Sequence, residues 1–389
     1  MKLPVVRMLA DRLPPGPWVF GRQVEHAHGL EDGSLVEVID ASDRFAGHAL
    51  YNGASDIRLR VLNRGRKTAM DHPKKFLLQK LSEALRLRRR VLRLPETTDA
   101  WRAVFAEGDD LSGLIVDHFA GNLVCEYHSL GFWNMRDDVA WALGELIPGA
   151  KILHRFPQGA AIAEGSQPAM DGVAPAKVWI NENGVSYPVM TATGHKTGWF
   201  CDQRDNRQRV AALARDRNVL DLCCNRGGFA LNAAKAGARR VRAVDLDEVA
   251  LAGAQEAAER NGLDVDCEHA DAFHVLRALP QEKTRPNLII LDPHKLIRGH
   301  GNMEEGKRKY SDFNTLALEG LAPGGILATF SCSGALDLPS FLGIIFQAAR
   351  RAERPIRLLN VWGASPDHPQ RPEFPRSAYL KGALCVVDD

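Results

Sequence analysis

VLDLCCNRGGFALNAAKAGARRVRAVD, residues 219–245, is the stretch whose reading decides the fold. A short apolar run ends at Asp221, a turn carries Gly227 and Gly228, an alanine-rich segment with helical character follows, and a second apolar run ends at Asp245. Strand, turn, helix and strand in that order make the half-unit of a nucleotide-binding, doubly wound α/β sheet. Glycine lets the backbone approach a ligand closely, and the helix N-terminus offers unpaired N–H groups. Asp245, 24 residues after Asp221, stands where a ribose diol needs a two-oxygen acceptor. The turn does not read GxGxxG, and Asn225-Arg226 precedes the glycines, which suits a ligand without a pyrophosphate. S-adenosylmethionine (SAM) fits. A plain sheet turn, or another nucleotide, stays open from this stretch alone.

Working outward, three further apolar runs, beyond the two in this stretch, repeat the pattern. Strands are expected at Arg240–Asp245, Val265–Glu268, Leu288–Asp292 and Ile326–Ser331, with helices at 247–261, 313–321 and 337–352. Alternating β and α units give a mainly parallel sheet with helices on both faces, and ligands bind at the carboxyl ends of its strands. The polar residues at those ends, Asp221, Asp245, Asp271, Asp292 and Cys332, are therefore the candidate site.

Asp292-Pro293-His294-Lys295 leaves an apolar strand as a stiff loop, and Ser331-Cys332-Ser333-Gly334 leaves another as a small-residue loop. Asp292 alternatively caps a turn, and Cys332 alternatively is a small residue in a tight bend. A thiolate at a cleft is the nucleophile that methylation of a pyrimidine carbon requires: C5 of cytosine is unreactive until sulfur adds at C6. Asp292 would then hold the N3/N4 edge of the base.

The remainder of the chain reads as two other segments. Residues 1–70 show short alternating strands, Leu35–Ile39, Phe45–Tyr51 and Ile57–Leu62, separated by polar turns, as in a small barrel. A helix is expected to start near Asp71, a β-hairpin spans Leu114–Asp117 and Leu123–Cys125, a helix covers 132–147, and 159–176 reads as a loop. Between Arg58 and Arg93 there are 13 Lys or Arg against two acids, a solvated helix face or a phosphate-binding surface. The whole chain has 389 residues and a formal charge of +2, and no apolar run approaches a membrane span. The N-terminal apolar segment is too short for a signal peptide, so a cytoplasmic location is expected. Seven scattered cysteines without a CxxC pair indicate neither a disulfide framework nor a zinc site.

These residues together resemble the large-subunit ribosomal RNA cytosine-5 methyltransferase I family. The resemblance is carried by Pro17–Phe20, by Glu107–Asp109 with Gly113–Asp117, and by Gly194-His195-Lys196-Thr197-Gly198-Trp199-Phe200 with Asp202-Gln203-Arg204-Asp205-Asn206-Arg207. It continues through Gly227–Ala230, Asp245, Thr329–Gly334, Asp367-His368-Pro369 and Tyr379-Leu380-Lys381-Gly382. It implies a PUA-like β-barrel at 1–70, a central mixed α/β domain at 71–190, and a Rossmann-like class I methyltransferase domain at 191–389. It further implies SAM as cofactor and 23S ribosomal RNA as partner, Cys332 as nucleophile, Asp245 on the SAM ribose and Asp271 on the adenine amino group. Lys196, Phe200, Gln203 and Arg204 are implied to close over SAM, and His294 and Lys295 to meet the substrate.

Two departures stand at the mouth of the site: Asp292-Pro293-His294-Lys295-Leu296 where the family has DPPKF, and Leu222–Phe229 where it has FSYTGGF. They leave open the target base, the role of His294, methylation of a base nitrogen without Cys332, and a SAM- and RNA-binding assembly factor without turnover. A homodimer is also left open. No metal is needed, since a sulfonium methyl is already activated.

Overall fold

The computed structural model describes residues 3–25, 27, 29–65, 67–191, 197–297 and 299–388. The chain divides into two compact units. The first holds Met1–Ile180, Val189–Cys201 and Pro366–Ser377; the second holds Asn181–Pro188, Asp202–Ser365 and Ala378–Asp389.

Two sheets build the first unit. One is five-stranded, in the spatial order Val5–Arg7, Leu35–Ile39, Phe45–Tyr51, Ile57–Arg64, Trp18–Phe20. The first pair is parallel and the rest antiparallel. Alternate residues such as Val36, Val38, Leu59 and Val61 form a core of its own with Val6, Met8 and Val19. The other sheet runs Ala169–Gly172, Lys151–Phe156, Asn122–Tyr127, Leu114–Phe119, Ala100–Phe105. Helix Pro73–Arg86 lays Leu77, Leu81, Ala84 and Leu85 into the core of this sheet, with Val139, Ala142 and Leu143 from helix Arg136–Leu146. The first of these helices starts at Pro73, two residues after Asp71, with His72 as a cap residue that lends no side-chain bond, because Pro73 sits ready-made in the first turn. The stretch 159–176 is not all loop: it contains helix Gln158–Ala163 and the edge strand Ala169–Gly172. Pairing with Lys151–Phe156 imposes that strand on a segment whose own residues are exposed and lack an apolar pattern.

The basic stretch is partly structural. Helix Pro73–Arg86 runs into one wide turn, Leu87–Val91, closed by the Leu92 N–H on the Leu87 carbonyl at 2.9 Å. Within that turn Arg88 is fully buried and pairs with both oxygens of Asp109 at 2.7 and 2.8 Å. Arg60 is likewise buried, on Glu164 at 2.9 Å. Lys74, Lys75, Arg86, Arg90 and Arg93 are exposed.

A seven-stranded sheet forms the second unit, in the order Asp266–His269, Arg240–Asp245, Asn218–Leu222, Leu288–Leu291, Ile326–Ser331, Lys381–Val387, Ile356–Trp362. The first five strands are parallel, and Lys381–Val387 runs antiparallel between Ile326–Ser331 and Ile356–Trp362. Both faces are covered, so the central strands are largely apolar. Leu220, Leu222, Ile289, Leu291 and Leu327 face a layer containing Leu276, Tyr310, Leu318 and Phe341. Val219, Leu288, Ile290, Ala328 and Phe330 face Val210, Phe229, Ala230 and Ala233. Helix Met303–Gly320 starts ten residues earlier than the expected 313. Its first half is polar and exposed on most sides, and what recruits it to the helix is a buried stripe, Gly306, Tyr310 and Phe313. The strand ends also shift slightly: Leu222 closes the first, and Asp292 follows Leu291 rather than ending its strand.

Candidate active site

Strand Asn218–Leu222 pairs with Arg240–Asp245 on one side and Leu288–Leu291 on the other. The chain leaves the central strand first to one side and then to the other, so a crevice opens at its carboxyl end. Parallel pairing carries the ends of Arg240–Asp245, Leu288–Leu291 and Ile326–Ser331 to the same edge. Asp221, Asp245, Asp292 and Cys332 are thereby gathered on one rim.

The turn after Leu222 is tightly specified. Cys223, Asn225 and Gly227 all have left-handed backbones, with φ of 58°, 49° and 70°. For the two non-glycine residues this conformation costs roughly 1–2 kcal/mol each. Hydrogen bonds hold them there. The Cys224 N–H donates to the Val244 carbonyl at 3.0 Å, and the Asn225 N–H donates to Asp245 Oδ2 at 2.7 Å. Asp245 Oδ1 accepts from the Asp247 N–H at 2.9 Å, so this one half-buried carboxylate ties the turn to its own strand end. Burial pushes the thiols of Cys223 and Cys224 well up, and neighbouring carboxylates push them further, as expected of packing cysteines.

The glycines serve packing. A Cβ on Gly227 would meet Leu231 Cδ1 at 2.4 Å, and one on Gly228 would meet Arg207 Cδ at 2.9 Å. Their Cβ directions thus face protein, and the close approach they allow is of helix Gly228–Lys235 to its neighbours. Arg226, bulky in the sequence, is 7% exposed and lies over Gly253, whose Cβ would fall 2.5 Å from its Nη1. Arg207 in turn forms a buried two-bond pair with Glu182, at 2.7 and 2.8 Å.

Asp221 is fully buried, and its Oδ2 accepts from the Ala230 N–H at 2.9 Å. Its Oδ1 is buried without a hydrogen-bond partner. Burial holds the carboxyl well above the ordinary range, with Asp292 and Asp245 adding to the shift. An orphaned acceptor at the crevice end of the central strand suits a cationic group such as the ammonium of an amino-acid tail. Asp271 is exposed, and one of its oxygens caps helix Ala272–Ala278 through the His274 N–H at 3.0 Å.

Asp292 Oδ2 accepts from Gln203 Nε2 at 3.0 Å. The Gln203 side-chain oxygen accepts from Asn206 Nδ2 at 2.7 Å, and Asn206 also donates to the Gly363 carbonyl at 3.0 Å. Gln203 therefore orients Asp292. Arg204 is buried and bonds Asp205 at 3.1 Å. Phe200 belongs to the first unit, Gln203 and Arg204 to the second, and Lys196 lies outside the described residues. His294 and Lys295 are exposed beyond Pro293.

Cys332 is half-buried, between two buried serines. The Ser331 hydroxyl donates to Tyr310 Oη at 2.9 Å, and Tyr310 Oη meets Ser333 Oγ at 3.0 Å. Ser333 Oγ also accepts from the Ile297 N–H at 3.1 Å, which links this turn to the loop after Asp292. Burial pushes the Tyr310 phenol up to about 12, so it stays a neutral bridge. Lys381, 5% exposed, donates to the carbonyls of Ser333 at 2.6 Å and Tyr379 at 2.7 Å. The Tyr379 hydroxyl donates to Asp202. Segment 202–206 is thus bonded both to Asp292 and, through Tyr379, to the strand beside Cys332. Tyr310 carries no sequence signal beyond its place on an apolar helix face. Lys381 has one: a lysine opening an otherwise apolar terminal strand.

Among the described residues no group of three or more His, Cys, Asp or Glu side chains is arranged to hold a metal ion. Nor is any helix among them long and apolar enough to cross a membrane.

Comparison with known proteins agrees with the fold. Residues 16–64 match the PUA-like domain family, and residues 219–296 match a methyltransferase domain family. The solved structure of a protein from Streptococcus mutans, described as a SAM-dependent methyltransferase, superposes with a TM-score of 0.83 at 19% identity, covering 99% of this chain and 100% of that one. A second methyltransferase, solved in complex with SAH, gives 0.80 at 19% identity over 100% of both chains. These two share the fold. The ribosomal RNA large subunit methyltransferase I of Pseudoalteromonas atlantica is 34% identical over 378 residues, 95% of each chain. That of Aeromonas salmonicida is 35% identical over 377 residues, 95% of this chain and 94% of the other. With this identity sustained along almost the whole length, the chain belongs to the ribosomal RNA large subunit methyltransferase I family.

Proposed function

We propose that the protein uses SAM to form 5-methylcytosine in large-subunit ribosomal RNA, with Cys332 as a transient covalent nucleophile. The supporting observation is a half-buried cysteine on the same sheet edge as the Asp221–Asp245 turn, in a loop clamped by Tyr310 and Lys381. Bound SAM would supply a methyl group already activated on a sulfonium. Asp221, through its orphaned oxygen, would hold the ammonium of the amino-acid tail, and Asp245 the ribose diol. The backbone of the turn at Gly227 and Gly228 would line the crevice beside them. Asp271 would reach the adenine amino group with the oxygen not used as a helix cap.

The thiolate of Cys332 adds to C6 of the cytosine, forming an S–C6 bond and making C5 electron-rich. C5 would attack the sulfonium methyl, forming the C5–CH3 bond as the methyl–sulfur bond breaks and its electron pair leaves with sulfur as a neutral thioether. A base then removes the C5 proton, the C5=C6 bond reforms, and the S–C6 bond breaks to return the thiolate. Asp292, oriented by Gln203, holds the N3/N4 edge throughout. His294 and Lys295, both exposed, contact the RNA around the splayed base. Residues 1–70 and 71–190 hold the structured RNA, residues 191–389 carry the chemistry, and the setting is the cytoplasm.

The experiment is transfer of labelled methyl from SAM to deproteinised large-subunit RNA by wild type and Cys332→Ala, followed by nucleoside analysis. Label in 5-methylcytosine that disappears with the mutation is expected. Label in another nucleoside that survives it would replace the covalent mechanism with methylation of a base nitrogen. Binding of SAM and RNA with no label from either protein, on assembled particles as well as free RNA, would point to an assembly factor.

A further inference from the structure

A buried cation beside Cys332 has no part in the reaction above. Lys381 opens strand Lys381–Val387 and pairs directly across from Ser331, the residue before Cys332. Its two bonds, to the carbonyls of Ser333 and Tyr379, go to neutral acceptors that fix the ammonium without cancelling its charge. Ser333 is the residue after Cys332, so the lysine grips the turn from both sides: through the ladder before the cysteine and through a carbonyl after it.

The charged and titratable groups around it have mixed effects. Cys332 and Asp337, the latter capping helix Leu338–Arg351, favour the ammonium, and Lys295 on the loop after Asp292 opposes it. Tyr310, on helix Met303–Gly320, faces Cys332 and stays neutral. Burial outweighs these and draws the lysine down to about 8. The attraction between Lys381 and a thiolate at Cys332 is mutual: what favours the ammonium favours the thiolate equally.

We propose that Lys381 is a positioning residue for Cys332: it pins the 331–333 turn through the Ser333 carbonyl and favours the thiolate electrostatically. This rests on the reading of Cys332 as nucleophile, and it adds the source of that nucleophile's activation.

The test is alkylation of the full-length protein with iodoacetamide across roughly pH 6–10, with each cysteine followed separately by peptide mass spectrometry. Wild type is compared with Lys381→Met, Lys381→Gln and Lys381→Arg. Near neutral pH, Lys381→Met is expected to slow modification of Cys332 about tenfold, with its midpoint displaced to higher pH and Cys267 unaffected. Lys381→Arg, which keeps the charge, recovers most of the rate. Lys381→Gln, which keeps donors for the carbonyls but no charge, behaves as Met; it decides the matter if Lys381→Met does not fold. Unchanged rates and midpoint in folded Lys381→Met or Lys381→Gln overturn the proposal. No RNA or SAM is present, so the outcome is separable from the function reading: methyl transfer surviving in Cys332→Ala sinks the nucleophile and leaves the lysine–thiol coupling standing.

Discussion

Removing a single oxygen from Tyr310 tests how the cysteine loop is held. The Tyr310 hydroxyl is buried and joins Ser331 at 2.9 Å and Ser333 at 3.0 Å, one serine on either side of Cys332. In Tyr310→Phe the ring stays, with its packing against Phe341, so no sizeable cavity opens. What is lost is two neutral hydrogen bonds, and two buried hydroxyls are left short of a partner. At about 1 kcal/mol per bond the cost is about 2 kcal/mol. For a unit of this size that lowers the melting temperature by about 4–8 °C. The assay is thermal unfolding of wild type, Tyr310→Phe, Ser331→Ala and the double variant. Because Ser331→Ala removes the same bond from the other end, the double variant should be more stable than the sum of the singles predicts, by about 1 kcal/mol. A Tyr310→Phe protein that melts within about 1 °C of wild type, with additive effects in the cycle, would refute the three-hydroxyl clamp.

Four other outcomes follow from the same structure. Asp245→Asn keeps one acceptor where two backbone N–H groups, of Asn225 and Asp247, now share a carboxylate; it should cost about 1–2 kcal/mol without any ligand, and SAH should stabilise the variant less than wild type in a thermal-shift assay. Gly227→Ala should cost about 2–3 kcal/mol, since it combines a φ of 70° with a Cβ 2.4 Å from Leu231, whereas Gly253→Ala, which meets only the flexible end of Arg226, should stay within about 1 kcal/mol by chemical unfolding. Arg88→Met strands Asp109 in the interior and should destabilise the first unit by about 3–5 kcal/mol, and urea melts should show Lys unable to replace it, because one ammonium cannot make the two parallel bonds. His118 stacks on Trp101 at 4.0 Å and bonds the Asp99 carbonyl through Nδ1 at 2.9 Å. Burial lowers it to about 4 from 6.5, so the unfolded chain takes up the proton first and this site's contribution to stability is lost as pH falls from 6.5 towards 4. Its imidazole resonances in an NMR titration should stay those of the neutral ring down to about pH 4.

Much of the architecture was legible because it rests on short-range pattern. A parallel strand buried on both faces must be a continuous apolar run, and four such runs, each ending at a polar residue, announced the sheet and the edge where Asp221, Asp245, Asp292 and Cys332 meet. What misled was composition without context. Arg60 and Arg88 look like part of an RNA-binding surface until Glu164, 104 positions on, and Asp109, 21 positions on, are found against them. Residues 159–176 look like a loop until a neighbouring strand recruits Ala169–Gly172. Asn225-Arg226 reads as a choice of ligand until Arg226 is found packed over Gly253.

The sequence by itself determined the fold class, the run of strands and the residue types near their ends, since periodicity and turn chemistry act between residues close in the chain. Only the tertiary structure decided what each of those residues bonds to. Gln203 lies 89 positions from the carboxylate it orients, and Lys381 lies 48 positions from the carbonyl it grips. Such pairs leave no trace in local pattern, because strand order in the sheet, and not distance along the chain, brings their atoms together.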